Sequence, residues 1–223
     1  MSTLKSNIKL VIFDVDGVIF DSEPLHYRAK LDILHSYGLG ETFDLKDYVG
    51  KPNKDLWTRI IKENKLNVSP GDLEMQQFDL IISYVYKEHL SPTKGLVDLL
   101  DFLKESCIHM AVASSSNRYY VSHILEFFGL NKYFTYSVTG DEVRFQKPSP
   151  DIYQKTLQLS GICSDNVIAI EDSTAGVQAA VSAGIKCLGY QNPTSGMQNL
   201  SLATGIIQEL GQVVEYITHE AMV

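Results

Sequence analysis

Apolar positions fall into two rhythms along this chain. Leu10 to Phe13 form a short unbroken run of bulky and β-branched residues, the pattern of a strand buried on both faces. The next seventy residues change to helical spacing. Leu25, Ala29, Ile33, Leu34 and Tyr37 mark a helix over 23–37 that Gly38 and Gly40 end. A second helix is predicted over 54–63, and a third over 72–89 from Leu73, Phe78, Ile81, Ile82, Val85 and Tyr86. No strand is expected in this block.

Ser91 and Pro92 break the chain, and from Gly95 onward strand and helix alternate. Helices are predicted at 96–105, 119–128, 151–159, 174–183 and 212–218, and strands at 108–113, 133–138, 167–170, 185–189 and 206–207. Pro150 suits the first turn of the 151–159 helix. Such alternation implies an α/β fold with a doubly wound, Rossmann-like parallel sheet. The helical block is then an insertion: residues 1–20 and 91–223 form the core, and 21–90 a helical cap domain.

Composition narrows the function classes. With 44% hydrophobic and 21% charged residues, the 223-residue chain is an ordinary globular protein. A formal charge of -8 supplies no basic patch, which argues against nucleic acid as a partner. No segment approaches the roughly 20 apolar residues that span a membrane. Cys107, Cys163 and Cys187 are widely spaced, without a metal or disulfide pattern, and are expected to be buried thiols in a reducing compartment. The first apolar run is cut at Asp14, so no signal peptide is expected, and the protein is placed in the cytoplasm as a monomer.

Candidate chemistry sits where strands end. Leu10–Phe13 runs into Asp14-Val15-Asp16-Gly17. Carboxylates one residue apart point oppositely along an extended chain, so a turn at Gly17 must bring both to one centre. Like charges that close call for a cation. The 108–113 strand ends in Ser114-Ser115-Ser116-Asn117, where helix-opening N–H groups form an anion site, and the 167–170 strand ends in Glu171-Asp172. Lys147 lies in a loop stiffened by Pro148 and Pro150. In a doubly wound sheet these carboxyl ends share one edge. Each residue alone has a plainer reading: Ser114 as a helix cap, Lys147 as a solvated lysine, Glu171-Asp172 as a helix N-terminus.

Taken in order, the four elements resemble the motifs of the haloacid dehalogenase-like superfamily of phosphohydrolases. The resemblance covers nearly the whole chain, with Asp14-Val15-Asp16-Gly17-Val18 and Ile170-Glu171-Asp172-Ser173 its most specific strings. It implies Asp14 as the nucleophile that forms an aspartyl-phosphate and Asp16 as the general acid/base. Ser114 and Lys147 stabilise the transferring group. The resemblance further implies Mg²⁺ held by Asp14, the carbonyl of Asp16, Glu171 and Asp172. A carboxylate acid must have its pKa raised by its surroundings. The helical insertion resembles the type 1 cap of phosphoglycolate phosphatases and β-phosphoglucomutases. In the latter a histidine matching His26 supports the acid/base. Gly50-Lys51-Pro52-Asn53-Lys54 resembles the family's specificity loop, which makes Lys51 and Asn53, with Ser115 and Asn117, candidate substrate contacts. Trp57 is read as cap core. The mutases carry arginine where Asn53 falls, and their cap lysine has no match here. The expectation is a Mg²⁺-dependent phosphatase acting on a small phosphorylated metabolite such as a sugar phosphate, with a β-phosphoglucomutase-like phosphotransferase as the alternative.

Overall fold

In the computed structural model, which describes residues 7–39, 45 and 53–220, strand β1 (Leu10–Phe13) is fully buried at the centre of the sheet. It pairs in parallel with β2 (His109–Ser114) on one side and β4 (Val167–Glu171) on the other, with Ile12 level with Ala111 and Ala169. Adding β3 (Tyr136–Thr139), β5 (Lys186–Tyr190) and β6 (Gly205–Ile207) gives six parallel strands in the order β3-β2-β1-β4-β5-β6. The apolar run of β1 is continuous because both sheet faces are covered. Val11 and Phe13 pack with apolar residues of α4 (Leu96–Glu105), α5 (Arg118–Phe127) and α8 (Gln212–Glu220). Leu10 and Ile12 meet those of α6 (Asp151–Ser160) and α7 (Thr174–Ser182).

This strand order fixes where a ligand can go. The chain winds outward from β1 to β3, returns to β4 beside β1, and winds away in the other direction. Connections therefore diverge between β1 and β4 and leave a crevice at their carboxyl ends, the usual ligand position in open α/β sheets. Asp14 follows β1 directly, and Glu171 is the last residue of β4.

The insertion consists of α1 (Glu23–Ser36), α2 (Asn53–Asn64) and α3 (Pro70–Glu88), the last opened by a reciprocal capping box between Ser69 and Asp72. Ile33, Leu34, Leu45, Leu56, Trp57, Ile60 and Leu73 form an apolar cluster of its own. The opposite edge joins the main core, where Phe78 of α3 stacks on Tyr120 of α5 with ring centroids 4.7 Å apart.

Several boundaries shift for local reasons. The strand expected at 133–138 starts at Tyr136, because Tyr133 N–H bonds to Leu130 in a turn and its hydroxyl donates to Asp101 at 2.6 Å. The strand expected from Ile108 starts at His109, since Ile108 N–H bonds to the carbonyl of Leu103 in α4. Cysteine burial needs correcting: Cys187 is buried on β5, but Cys107 and Cys163 are exposed. Both exposed thiols sit in connections, Cys107 between α4 and β2 and Cys163 ahead of a 3-10 turn. No helix among the described residues is long and apolar enough to cross a membrane.

Truncating Ile12 to alanine should cost about 2–5 kcal/mol, because β1 is flanked on both faces and cannot collapse onto the cavity. The corresponding change at Leu159, which is exposed, should stay within about 0.5 kcal/mol. Urea unfolding with an unchanged m-value checks both.

Candidate active site

The turn after β1 brings its two aspartates together. Asp14 N–H extends the ladder to Ile170 O at 3.1 Å, after which the carbonyl of Val15 collects the N–H of Ile19 at 2.9 Å. Gly17 N–H closes the loop on Phe20 O at 2.9 Å, and the Phe20 ring packs 5.5 Å from that of Phe128. Gly17 has φ of 79°, and a Cβ there would lie 1.9 Å from Asp172 Oδ2. Only glycine satisfies both the conformation and the approach. Asp14 and Asp16 consequently line one cavity, together with Ser115, Ser116, Lys147 and Asp172.

Three carboxylates meet at the crevice. Oxygens of Asp14, Glu171 and Asp172 all lie within 4.8 Å of one another, and all three residues are buried. Lys147 spends its three ammonium protons here, on Asp14 Oδ1 at 2.5 Å, Glu171 Oε1 at 2.6 Å and the Ala113 carbonyl at 2.9 Å. Tyr153 Oη donates to Glu171, and Ser195 Oγ to Asp172. One ammonium against three carboxylates leaves the cluster short of positive charge. Burial pushes Asp172 up to about 8, helped by the Glu171 charge. Burial also raises Asp14, and the neighbouring carboxylates add to this against the opposing pull of Lys147. An all-oxygen, anionic donor set under this strain suits a hard divalent cation. A close contact preserves it: a Cβ on Gly176, at the start of α7, would meet Glu171 Oε2 at 1.8 Å.

The expectation that the Gly17 turn brings both aspartates to one centre holds for the cavity they share, but the side chain of Asp16 is engaged outside the carboxylate cluster. Its Oδ1 accepts from Tyr120 Oη at 2.8 Å and lies 3.1 Å from His26 Nε2, and its Oδ2 accepts from Ser116 Oγ at 2.8 Å. The expected upward shift of its pKa is also not found. Burial does act upward, but the hydrogen bonds from His26 and Ser116 outweigh it and hold Asp16 below the usual carboxylate range. A sequence does not show that these donors converge on one carboxylate.

His26 is held from behind by the cap. Trp57 Nε1, a donor only, bonds to Gln77 Oε1 at 3.1 Å. The Gln77 amide nitrogen must then face the other way, and it lies 2.7 Å from His26 Nδ1. Nδ1 is therefore the acceptor, the ring proton sits on Nε2, and His26 donates to Asp16. Trp57 and Gln77 are fully buried, so the core of the insertion orients a group at the carboxyl end of the sheet.

The remaining expected residues divide. Ser115 lines the cavity, whereas Ser114 is fully buried and its Oγ accepts the N–H of Ser116 at 3.1 Å, which holds the loop in shape. Asn117 caps α5 by accepting from Tyr120 N at 2.9 Å. Lys51 lies outside the described residues, as does the side chain of Asn53. Trp57 is cap core, as expected. Ser116, Tyr120, Gln77, Tyr153 and Ser195 escaped the sequence reading. Tyr120, Gln77 and Tyr153 sit at helical positions that look like ordinary packing. Ser195 had a usable signal, a polar loop following a parallel strand.

The model of the haloacid dehalogenase-like hydrolase family matches residues 11–190. A phosphorylated carbohydrates phosphatase of Thermotoga maritima is 33% identical over 180 residues, 80% of this chain and 83% of that protein. The fructose-1-phosphate phosphatase YqaB of Escherichia coli is 30% identical over 180 residues, 78% of this chain and 92% of its own. Among solved structures, CbbY from Rhodobacter sphaeroides in complex with phosphate superposes with a TM-score of 0.83 over 92% of this chain and 96% of its own, at 24% identity. That structural likeness speaks for the fold. The family match takes in the whole carboxylate cluster, Lys147 and both sides of the crevice, and this chain belongs to the haloacid dehalogenase-like hydrolase family.

Proposed function

We propose that the chain is a Mg²⁺-dependent phosphatase that removes phosphate from a small phosphorylated metabolite, a sugar phosphate, through an aspartyl-phosphate on Asp14. The observation that carries this reading is the buried Asp14–Lys147–Glu171–Asp172 cluster at the crevice, in a cavity shared with Asp16. The names of the Thermotoga and Escherichia relatives support the substrate class.

In the first step an Asp14 oxygen attacks phosphorus, and the bond to the leaving oxygen breaks. Asp16 in its protonated form gives that oxygen its proton, so an alcohol departs. In the second step water attacks the aspartyl-phosphate and Asp16 takes the water proton, which frees phosphate and restores the Asp14 carboxylate. The donors on Asp16 hold the ionised form that this second step requires. Lys147 neutralises charge on the transferring group beside Asp14, and Ser115 offers a hydroxyl from the cavity wall. Ser114 is a positioning residue for that loop. Asp14, Glu171 and Asp172, with the carbonyl of Asp16, would hold Mg²⁺. Bound there, the cation supplies charge neutralisation between an anionic nucleophile and an anionic substrate. Residues 21–90 act as a lid that excludes water during the first step.

Asp14→Asn keeps the shape and loses the nucleophile, so phosphate release should fall by about 10³-fold or more. Near-normal turnover in protein shown by mass spectrometry to be free of deamidation would refute the aspartyl-phosphate. For the metal, titration of thermal unfolding should show stabilisation by Mg²⁺, with Gly176→Ala weakening apparent affinity about tenfold as its methyl displaces Glu171. Identical Mg²⁺ curves for the two proteins would contradict the assignment. Hydrolysis and mutase action share this core and differ in what attacks the intermediate. With Asn53 where the mutases carry arginine, hydrolysis is expected. Given β-glucose 1-phosphate, Mg²⁺ and a trace of β-glucose 1,6-bisphosphate, the enzyme should release inorganic phosphate. Glucose 6-phosphate formed faster than phosphate would decide for the mutase.

A further inference from the structure

Helix α1 carries a polar stripe that the phosphoryl chemistry leaves unexplained. Glu23, His26 and Lys30 follow one another at helical spacing, and all three line the cavity that contains Asp14 and Asp16. His26 is accounted for, with one ring nitrogen on Asp16 and the other on Gln77. Lys30 is not. It is 8% exposed, yet among the described residues its ammonium makes no hydrogen bond or ion pair. A buried ammonium is costly without a partner, and burial accordingly lowers the pKa of Lys30. Glu23, two turns back along the same stripe, exerts the largest opposing charge effect on Lys30, ahead of Asp16, and its carboxylate likewise has no hydrogen bond among the described residues.

We propose that Lys30 and Glu23 form the leaving-group subsite, and that they select a neutral polyol carrying a single phosphate. This deepens the phosphatase reading above and rests on it. A donor-only ammonium and an acceptor-only carboxylate, both facing one cavity, together match hydroxyl groups, which accept from the first and donate to the second. A sugar hydroxyl thus supplies Lys30 with the partner it lacks and adds no charge to the cavity. A second phosphate or a carboxylate on the leaving group would gain Lys30 but would also face Glu23 and Asp16, whose negative charges both act on Lys30 now. Sites built to hydrogen-bond a substrate hydroxyl discriminate strongly against molecules that lack it, because their buried groups are left unpaired.

The test measures kcat/KM for wild type, Lys30→Met and Lys30→Arg on four phosphate monoesters. These are fructose 1-phosphate, glucose 6-phosphate, 2-phosphoglycolate and p-nitrophenyl phosphate, whose leaving group has no hydroxyl beyond the ester oxygen. Lys30→Met should lower the ratio of the preferred hexose phosphate to p-nitrophenyl phosphate by about tenfold or more, mostly through KM, the loss expected for a hydrogen bond from a charged group. Lys30→Arg, which keeps the charge and the donors, should recover most of the ratio. A ratio unchanged in Lys30→Met overturns the subsite, and so does a loss confined to 2-phosphoglycolate, which would make Lys30 an anion clamp. Wild type inert toward all four esters in the presence of Mg²⁺ would instead strike the phosphatase reading itself, a result separable from either of these.

Discussion

Everything at the carboxyl edge of this sheet answers to one electrostatic constraint, three buried carboxylates held by one buried ammonium. Charges out of water are tolerable only when paired and hydrogen-bonded. Lys147 accordingly gives all three protons to the cluster and its surroundings, and Tyr153 and Ser195 each satisfy a further carboxylate oxygen. The backbone is cut to the same demand. Gly17 and Gly176 stand where any side chain would collide with Asp172 or Glu171. The shortfall of positive charge that remains suits the cluster to a cation instead of a closed ion pair.

A second constraint ties the insertion to the chemistry. The Trp57–Gln77–His26–Asp16 chain runs from the cap's own apolar cluster to a carboxylate next to the crevice. Its direction follows from Trp57, which can only donate, so the orientation of each later group is determined in turn. A cap that packs correctly therefore presents His26 to Asp16 as a donor. Tyr120 contributes from the core side of the same carboxylate and stacks on Phe78 of the cap. Cap and core thus share both an apolar seam and a polar one.

The cavity accordingly has two walls of different origin. The carboxylates, Lys147 and the turn at Gly17 lie within the family match, and Asp14, Asp172 and Lys147 form one wall. The other wall of the cavity is built by α1 and α3, through Glu23, His26, Lys30, Glu74 and Phe78. Relatives named for carbohydrate phosphates and for fructose 1-phosphate match this chain over 83% and 92% of their own lengths.

The sequence by itself determined the doubly wound sheet, the helical insertion after β1, the strand ends that carry Asp14, Asp16, Glu171 and Asp172, and the proline-stiffened loop that carries Lys147. Those features are legible because they are local: an apolar run, a helical period or a carboxylate after a strand is set by neighbours in the chain. The sheet rule then puts distant strand ends on one edge without further information. Tertiary structure alone decided what each side chain does there. It turned Asp16 away from the carboxylate cluster and toward His26, Ser116 and Tyr120, and so lowered a pKa that reasoning from role alone would raise. It placed Ser114 under the loop and Ser115 in the cavity wall, exposed two of the three cysteines, and left Lys30 buried without a partner among the described residues. Hydrogen-bond partners separated by up to about a hundred residues leave no trace in local pattern, because a side chain's protonation and orientation depend on which atoms fold against it.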